Sequence, residues 1–417
     1  MDNPAATIIF GRMERRDDIL IVGGGLGGPA LALALARAGF GVTVVDAQSE
    51  KVRKNAAFDG RAYALALASV RLLRRLGIWD RLDGNTQPML EIKVSDGRAG
   101  EGPLSPFFLH FDHAEIEEGP MGHMVEDRFL RRALLDALAE SNRITHLSGE
   151  QVTAQEVDAG RVRLTCASGR EIEGALLVGC DGRASGTAAR AGISRTGWYY
   201  GQTALVAAIE HELPHNGVAH QFFMPSGPLA ILPLPGNRSS IVWSETDDTA
   251  AEFAALDDTG FMEVLRPRFG DFLGEIALRG KRYTYPLNLT LANSFIAPRL
   301  ALAGDAAHGM HPIAGQGLNA GLRDVAALAQ VLSEARTRGE DIGAADVLAR
   351  YQQWRRFDTA TLAMTTDLTN RLFSTDNPLL RLGRDIGMGV INGWPGLRRG
   401  LMREAAGLTG DLPELMR

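Results

Sequence analysis

The stretch Ile19-Leu-Ile-Val-Gly-Gly-Gly-Leu-Gly-Gly-Pro29 decides the reading of this chain. Ile19 to Val22 is a short apolar, β-branched run, as in a strand buried on both faces of a parallel sheet. Gly23-x-Gly25-x-x-Gly28 follows at once, and Pro29 to Ala38 then has a helical alanine/leucine composition, closed by Gly39. Val42 to Val45 is a second strand, ending at Asp46, 18 residues past the last glycine. Strand, glycine turn, helix, strand and acid in this order predict a dinucleotide site. The first glycine permits the tight turn, the second lets backbone approach a pyrophosphate, and the third lets helix pack on strand. The helix N-terminus faces the anion, and Asp46 is placed to accept hydrogen bonds from an adenosine ribose. Ile19 to Ala36 is also 18 uncharged residues, near the lower limit for a membrane span, but its five glycines, one proline and β-branched start favour strand and turn.

Glycine is in excess over the whole chain, 48 of 417 residues against a usual level of about 7%. Apolar residues at 45% and charged residues at 23% fit a folded globular protein and exclude a disordered or coiled-coil chain. The net charge of −6 argues against a nucleic-acid partner. Cys166 and Cys180 are too few for a disulfide framework or a four-thiolate zinc site, and they suit a reducing compartment. Residues 1–18 mix acids and bases without an apolar core, so no signal peptide is expected there. These features predict a cytoplasmic protein.

Further along, Ala62 to Leu76 and Arg128 to Glu140 read as helices, and residues 198–247 as antiparallel sheet with turns at Pro225-Ser-Gly-Pro228 and Pro235-Gly-Asn237. Residues 250–278 look helical, Arg299 to Ala303 is a strand, and Leu318 to Arg336 a helix. A second glycine cluster, Gly304-Asp-Ala-Ala-His308 and His311-Pro-Ile-Ala-Gly-Gln-Gly-Leu-Asn319, lies between those last two elements. Asp305 at a strand end suits a polyol such as a ribityl chain. Gly315 to Asn319 would set amide N–H groups and a helix dipole where a reduced flavin carries negative charge. A third segment, Gly179-Cys-Asp181-Gly182-x-x-Ser185, is by itself an ordinary acidic turn.

Together these three segments resemble the single-component, FAD-dependent aromatic hydroxylases of the para-hydroxybenzoate-hydroxylase-like class A flavin monooxygenases. The chain is more similar still to the ubiquinone-biosynthesis hydroxylases. That likeness rests on Asp59-Gly-Arg61-Ala-x-Ala-Leu, Leu76-Gly-Ile-Trp79, Trp198-x-Tyr200-x-Gln202, Pro225 to Pro233, and above all Gly304 to Asn319, continuing to Gly321-Leu-Arg-Asp324. It runs from about Asp18 to Arg403.

The resemblance implies an α/β fold: a Rossmann-like FAD-binding domain, an interleaved β-sheet substrate domain and a helical C-terminal extension. The FAD-binding parts would be residues 1–95, 119–190 and 291–355. The substrate domain would take 96–118 as an insertion and 191–290 as its antiparallel sheet, with 356–417 as the extension. FAD would meet Gly23, Gly25, Gly28 and Asp46 at its ADP half, with Arg61 and Arg128 near the pyrophosphate or ribityl region. Asp305 would bind ribityl, and Pro312, Gly315, Gly317, Leu318 and Asn319 would lie along the isoalloxazine. Asp181 and Gly182 fall in a segment tied in such proteins to FAD and reduced-nicotinamide binding. The family often has arginine three residues after the serine of this segment; here Ala188 stands there and Arg190 is the nearest arginine.

The implied reaction is FAD-dependent hydroxylation of the aromatic ring of a polyprenylated phenol in ubiquinone biosynthesis, through a flavin hydroperoxide. Dioxygen is the co-substrate, and a reduced nicotinamide cofactor or an electron-transfer protein is the electron donor. Since the flavin drives the chemistry, no side chain is an obligatory acid or base; Pro312 and His311 are the candidates beside the reaction. His308 and His311 lack the nearby acids or thiolates of a metal site, so no metal is expected, and fixing the flavin loop suits them better. Gln202 and His220 are weak substrate-pocket candidates with plain structural roles as the alternative, and Arg61 and Arg128 are equally open to a reading as surface charges. Residues 378–407 form a basic amphipathic segment that either packs on the body or meets a membrane surface or a ubiquinone-biosynthesis protein complex. Two rival readings are a flavin hydroxylase of a small soluble phenol and a FAD-containing scaffold with little activity.

Overall fold

The computed structural model describes residues 17–58, 60–96, 108–310, 315–373, 387 and 389–417. Its first layer is an eight-stranded sheet. Five strands run parallel, in the order Leu300–Leu302, Glu171–Gly179, Asp17–Val22, Val42–Asp46 and Ile144–Ser148. Parallel neighbours need a crossover, and the helix Gly27–Arg37 supplies it between the strands ending at Val22 and beginning at Val42. Every residue of Val42–Asp46 is buried, as expected of a strand covered on both faces. The helices Gly27–Arg37, Asp127–Glu140 and Gln316–Thr337 contribute Leu31, Leu35, Leu134, Leu138, Val325 and Leu328 to the same core.

The second layer is an eight-stranded sheet built on the antiparallel run Ile276–Ala292, Arg195–His211, Arg238–Thr246, Gly227–Leu234 and Val218–Met224. Alternation divides its faces. Leu205, Ala207, Ile209, Phe222 and Trp243 point to one side and pack under the helices Asp247–Ala255 and Asp258–Phe269. Ala204, Val206 and Leu287 point to the other, where Tyr200 and Tyr283 join them. A small third sheet, Ala62–Ala66, Gly122–Glu126 and Thr86–Met89, lies between the layers.

Three local expectations change. Ala62 to Leu76 is a strand to Ala66 and a helix only from Leu67 to Arg75. Alanine prefers helix, but pairing of residues 62–66 with 126–122 overrides that weak preference. Residues 250–278 are two helices and the start of a strand; Asp257 breaks the run by capping the second helix at the Gly260 N–H (2.8 Å). Residues 91–95 belong to the second layer, because Glu91–Asp96 pairs with both Val218–Met224 and Phe108–Asp112.

The C-terminal helix Pro395–Ala405 docks Met402 and the following Ala406 and Leu408 against Leu67, Phe111, Ile116 and Met121. Arg398 pairs with Glu115 (2.8 Å) and Arg403 with Glu118 (3.3 Å). Its other side stays exposed.

Candidate active site

The phosphate turn is shaped by chain packing. Gly23 sits at φ 114°, and a Cβ there would overlap the carbonyl of Cys180. A Cβ at Gly28 would overlap the Gly23 carbonyl oxygen, so helix and strand approach this closely only because residue 28 is glycine. A Cβ on Gly25 or Gly27 would meet no atom within 4 Å. The turn therefore has a packed inner side and an open outer side, as a cradle for pyrophosphate requires. Asp46 lies beside it with its carboxylate engaged. Arg53 donates to it twice, Nε at 2.6 Å and Nη2 at 2.9 Å, and the Gln48 N–H adds a third bond at 3.1 Å. Arg53 is a partner that the motif alone does not disclose.

Asp181 and Gly182 abut this turn through the Cys180 N–H, which donates to the Val22 carbonyl at 2.7 Å. Asp181 accepts bonds from the Ser185 hydroxyl (2.5 Å) and from both the amide and the hydroxyl of Thr187 (2.9 Å each). Its carboxylate holds the start of the short helix Gly186–Arg190, while Gly182 is open to the outside. Arg190 reaches Gln155 (3.2 Å) and the Val152 carbonyl (3.3 Å), pinning that helix to the neighbouring hairpin.

Arg61 and Arg128 belong to one cluster at the start of the helix Asp127–Glu140. Arg61 (3.2 Å) and Arg131 (2.9 Å) face the buried Asp127; Arg128 (2.7 Å) and Arg238 (3.1 Å) face the buried Glu126. Among the described residues the cluster sets four guanidiniums around two buried carboxylates. Arg238 comes from the second layer, so this cluster also ties the layers together.

The flavin segment spans the seam between the layers. Leu300–Leu302 belongs to the first sheet, whereas His308–Gly309 pairs with Leu291 and Thr290 of the second. Asp305, at the turn between them, keeps 45% of its side chain exposed and meets Arg183 only at 3.4 Å. Arg183 also donates to Asn288 (3.1 Å) and to the Met310 carbonyl (3.2 Å). Gly315 takes the left-handed conformation (φ 63°) just ahead of the helix Gln316–Thr337. Gly317 faces open space in that helix's first turn, and Leu318 is half-buried beside it. The N–H groups of a helix's first turn lie outside its own ladder, so the start of this helix is its positive end.

The side chain of Asn319 is committed to the frame of this segment. Its Oδ1 accepts from the Ala66 N–H (2.9 Å) and the Ser69 hydroxyl (2.8 Å); its Nδ2 donates to the carbonyls of Ala64 (2.8 Å) and Gly315 (3.0 Å). All four bonds go to protein, so Asn319 fixes the strand Ala62–Ala66 against the flavin segment. Behind it lies the fully buried Asp324. Burial pushes its carboxyl up, but His308 and Arg355 outweigh that and hold it below its ordinary range. His308 Nδ1 finds no partner among the described residues.

His311 and Pro312, with Asp59 of the Asp59-Gly-Arg61 stretch, lie outside the described residues. Gln202 alternates with Ala204 and Val206 on the seam-facing side, and its amide donates to the Ser226 carbonyl (2.7 Å). His220 points the other way. Its ring packs on Phe272 (4.4 Å) and Phe222 (5.7 Å) under the helices, which removes it from the pocket. Its strand was predicted, but its face was not.

Residues 16–365 match the family described as FAD binding domain. The chain belongs to it. It is 46% identical to ubiquinone hydroxylase UbiL of Rhodospirillum rubrum, over 100% of this chain and 96% of that one. It is 33% identical to the 3-demethoxyubiquinol 3-hydroxylase of Escherichia coli, over 94% and 98%. The crystal structure of p-nitrophenol 4-monooxygenase PnpA from Pseudomonas putida superposes with a TM-score of 0.78 at 19% identity, covering 95% and 98%, a likeness of fold. The protein is thus a FAD-dependent aromatic hydroxylase of the ubiquinone-pathway family. The residues of this hydroxylase fit the cofactor: an open glycine cradle, a guanidinium cluster and a half-exposed aspartate at the seam.

Proposed function

We propose that this hydroxylase acts on the ring of a polyprenylated phenol on the way to ubiquinone. The observation that carries the reading is the apolar lining of the seam. Tyr200 packs both with Ala204, Val206 and Leu287 and with Leu289, Met310 and Ala320 at the flavin segment. Such walls receive an aromatic ring and keep water away from the reacting centre. Bound FAD, reduced by a nicotinamide cofactor or an electron-transfer protein, supplies the dioxygen chemistry that adds one oxygen to the ring. Gly23, Gly25 and Gly28 shape its pyrophosphate cradle, Arg61 and Arg128 provide charge, and Asp305 is the acceptor for ribityl hydroxyls. Gly315 to Leu318 present amide N–H groups that favour negative charge on the flavin ring. Asp46 reaches the adenosine ribose only by sharing its carboxylate with Arg53.

The relatives' names support the ubiquinone pathway, at 46% and 33% identity. The decisive experiment supplies purified FAD-loaded protein with reductant, oxygen and matched phenols with and without a prenyl chain. Hydroxylated product from the prenylated phenol, at a kcat/KM at least tenfold above the short phenol, is the expected result. A preference for the short phenol supports the soluble-substrate rival, and flavin reoxidation without product supports the scaffold.

A bilayer-dissolved substrate also calls for a docking surface. Among the described residues no helix is long and apolar enough to cross a membrane. Leu397 and Leu401 are exposed one turn apart on the helix Pro395–Ala405, with Trp394 exposed at its start, Val390 exposed before the break there, and Arg399 exposed on the same helix. We assign this stripe to the surface of an anionic membrane. Trp394→Ser with Leu397→Ser should abolish cosedimentation with anionic vesicles and leave turnover of a detergent-dissolved substrate intact. Retained cosedimentation removes the stripe from the docking surface.

A further inference from the structure

The turn that offers Asp305 is clamped at both ends by one carboxylate twenty residues away. Asp324 Oδ2 accepts the Gly304 N–H at 2.9 Å and lies 2.5 Å from His308 Nε2. Its Oδ1 accepts Arg355 Nε at 2.8 Å. Asp324 and His308 are fully buried, and Arg355 is 2% exposed. Arg355 continues to Asp358 (3.0 Å), so the clamp is braced by the helix Ala345–Phe373. A buried ion pair is a poor source of net stability, because well-packed apolar residues in its place are often as stable. What this one does is geometric. Gly304 and His308 are the two flanks of Asp305, whose own side chain is half-exposed and weakly held.

We infer that Asp324 is a positioning residue for FAD: by holding Gly304 and His308 together it sets the direction in which Asp305 meets the cofactor. The inference rests on the reading of Asp305 as a FAD contact. Asp324 touches neither cofactor nor substrate; it acts through the turn.

The test is a cycle of four proteins, wild type, Asp305→Ala, Asp324→Asn and the double variant, each stripped of flavin and titrated with FAD by flavin fluorescence. Asp324→Asn should weaken FAD binding by most of the loss seen in Asp305→Ala, about five- to tenfold, in the wild-type background and less than twofold once Asp305 is gone. Equal losses in both backgrounds overturn the positioning role while leaving Asp305 in place. Unchanged affinity in Asp305→Ala overturns the contact itself, and the inference with it. Asp324→Asn leaves the Arg355 charge buried beside a neutral amide, so a milder variant accompanies it. His308→Leu frees one flank of the turn and keeps the Asp324–Arg355 pair. It should weaken FAD binding about threefold, again only when Asp305 is present, and His308→Gln, which restores a donor to Asp324, should recover most of the loss. A His308→Leu protein that binds FAD like wild type overturns the clamp.

Discussion

At the phosphate turn two of the residues that require glycine answer to close neighbours, Gly28 to Gly23, five residues away, and Gly24 to the Asp46 side chain on the next strand, while Gly23 also meets the remote Cys180 carbonyl. At the flavin turn the partners are remote. Asn319 holds Ala64 and Ala66, more than 250 residues earlier, and Asp324 holds Arg355 on another helix. One end of the cofactor site is thus specified largely within a single βαβ unit, with one remote strand end packed on Gly23, whereas the other is assembled mainly by remote partners. A local site is damaged one glycine at a time; an assembled site is damaged by cutting the ties that bring its parts together.

The largest effect expected separates two glycines of one motif. Gly28→Ala drives a methyl group into the Gly23 carbonyl, where backbone on both sides prevents relief. Its cost should be about 3 kcal/mol or more in urea denaturation. Gly25→Ala meets open space, so its unfolding midpoint should match wild type while FAD affinity falls. Equal stability losses in the two variants would erase the distinction between the packed and the open side of the turn.

Asn319→Ala tests the assembled end. It leaves the Ala66 N–H and the Ala64 carbonyl without their partner, and should cost about 2–3 kcal/mol. FAD affinity should fall as well, because the strand Ala62–Ala66 is then free to leave the flavin segment. A cost well under 1 kcal/mol would mean that the tie is dispensable.

This contrast also explains what was legible in the sequence. The motif Gly23 to Asp46 carries its own context, so strand, turn, helix and acid follow from about thirty residues. Asn319 and Asp305 stand out in the sequence by type and pattern, yet nothing near Asn319 reveals that its amide is committed to Ala64 and Ala66. Asp324 stood within the most specific stretch without a role, because its partners Arg355 and Gly304 meet it only in three dimensions. The segment Ala62–Ala66 has a helical composition yet is a strand for the same reason: its partner strand lies some sixty residues on.

His220 extends the contrast to the second layer, where strand position was readable and facing was not. Burial first, and then nearby Lys93, push its imidazole down to about 4. A histidine with a depressed value favours the unfolded state once protons bind there. Its contribution is intact above the ordinary value of about 6.5 and is lost as pH falls toward 4. Replacing it with phenylalanine should therefore flatten the acid limb of stability by about 2 kcal/mol between those limits. His123, lowered to about 4 by burial and then by Arg74, stays in the variant and keeps part of the slope. An unchanged acid limb would put His220 in solvent, and so return it to the list of pocket candidates.

The smallest effect concerns the point where both kinds of construction meet. Asp305 is a local motif residue on a turn held by remote partners, and its carboxylate is half-exposed. Removing it leaves little buried polarity unsatisfied in the free protein, so Asp305→Ala should unfold at the wild-type midpoint. With FAD bound, the loss is a charge-assisted bond in a partly wet setting, about 1.5 kcal/mol or roughly tenfold in affinity. The pattern matters more than the size. Stability unchanged with affinity reduced marks a residue that serves the ligand, the outcome expected of Gly25 at the other end. Stability reduced along with affinity would instead make Asp305 part of the frame, through Arg183 and the seam, and the boundary between the local and the assembled parts of the site would move to include it.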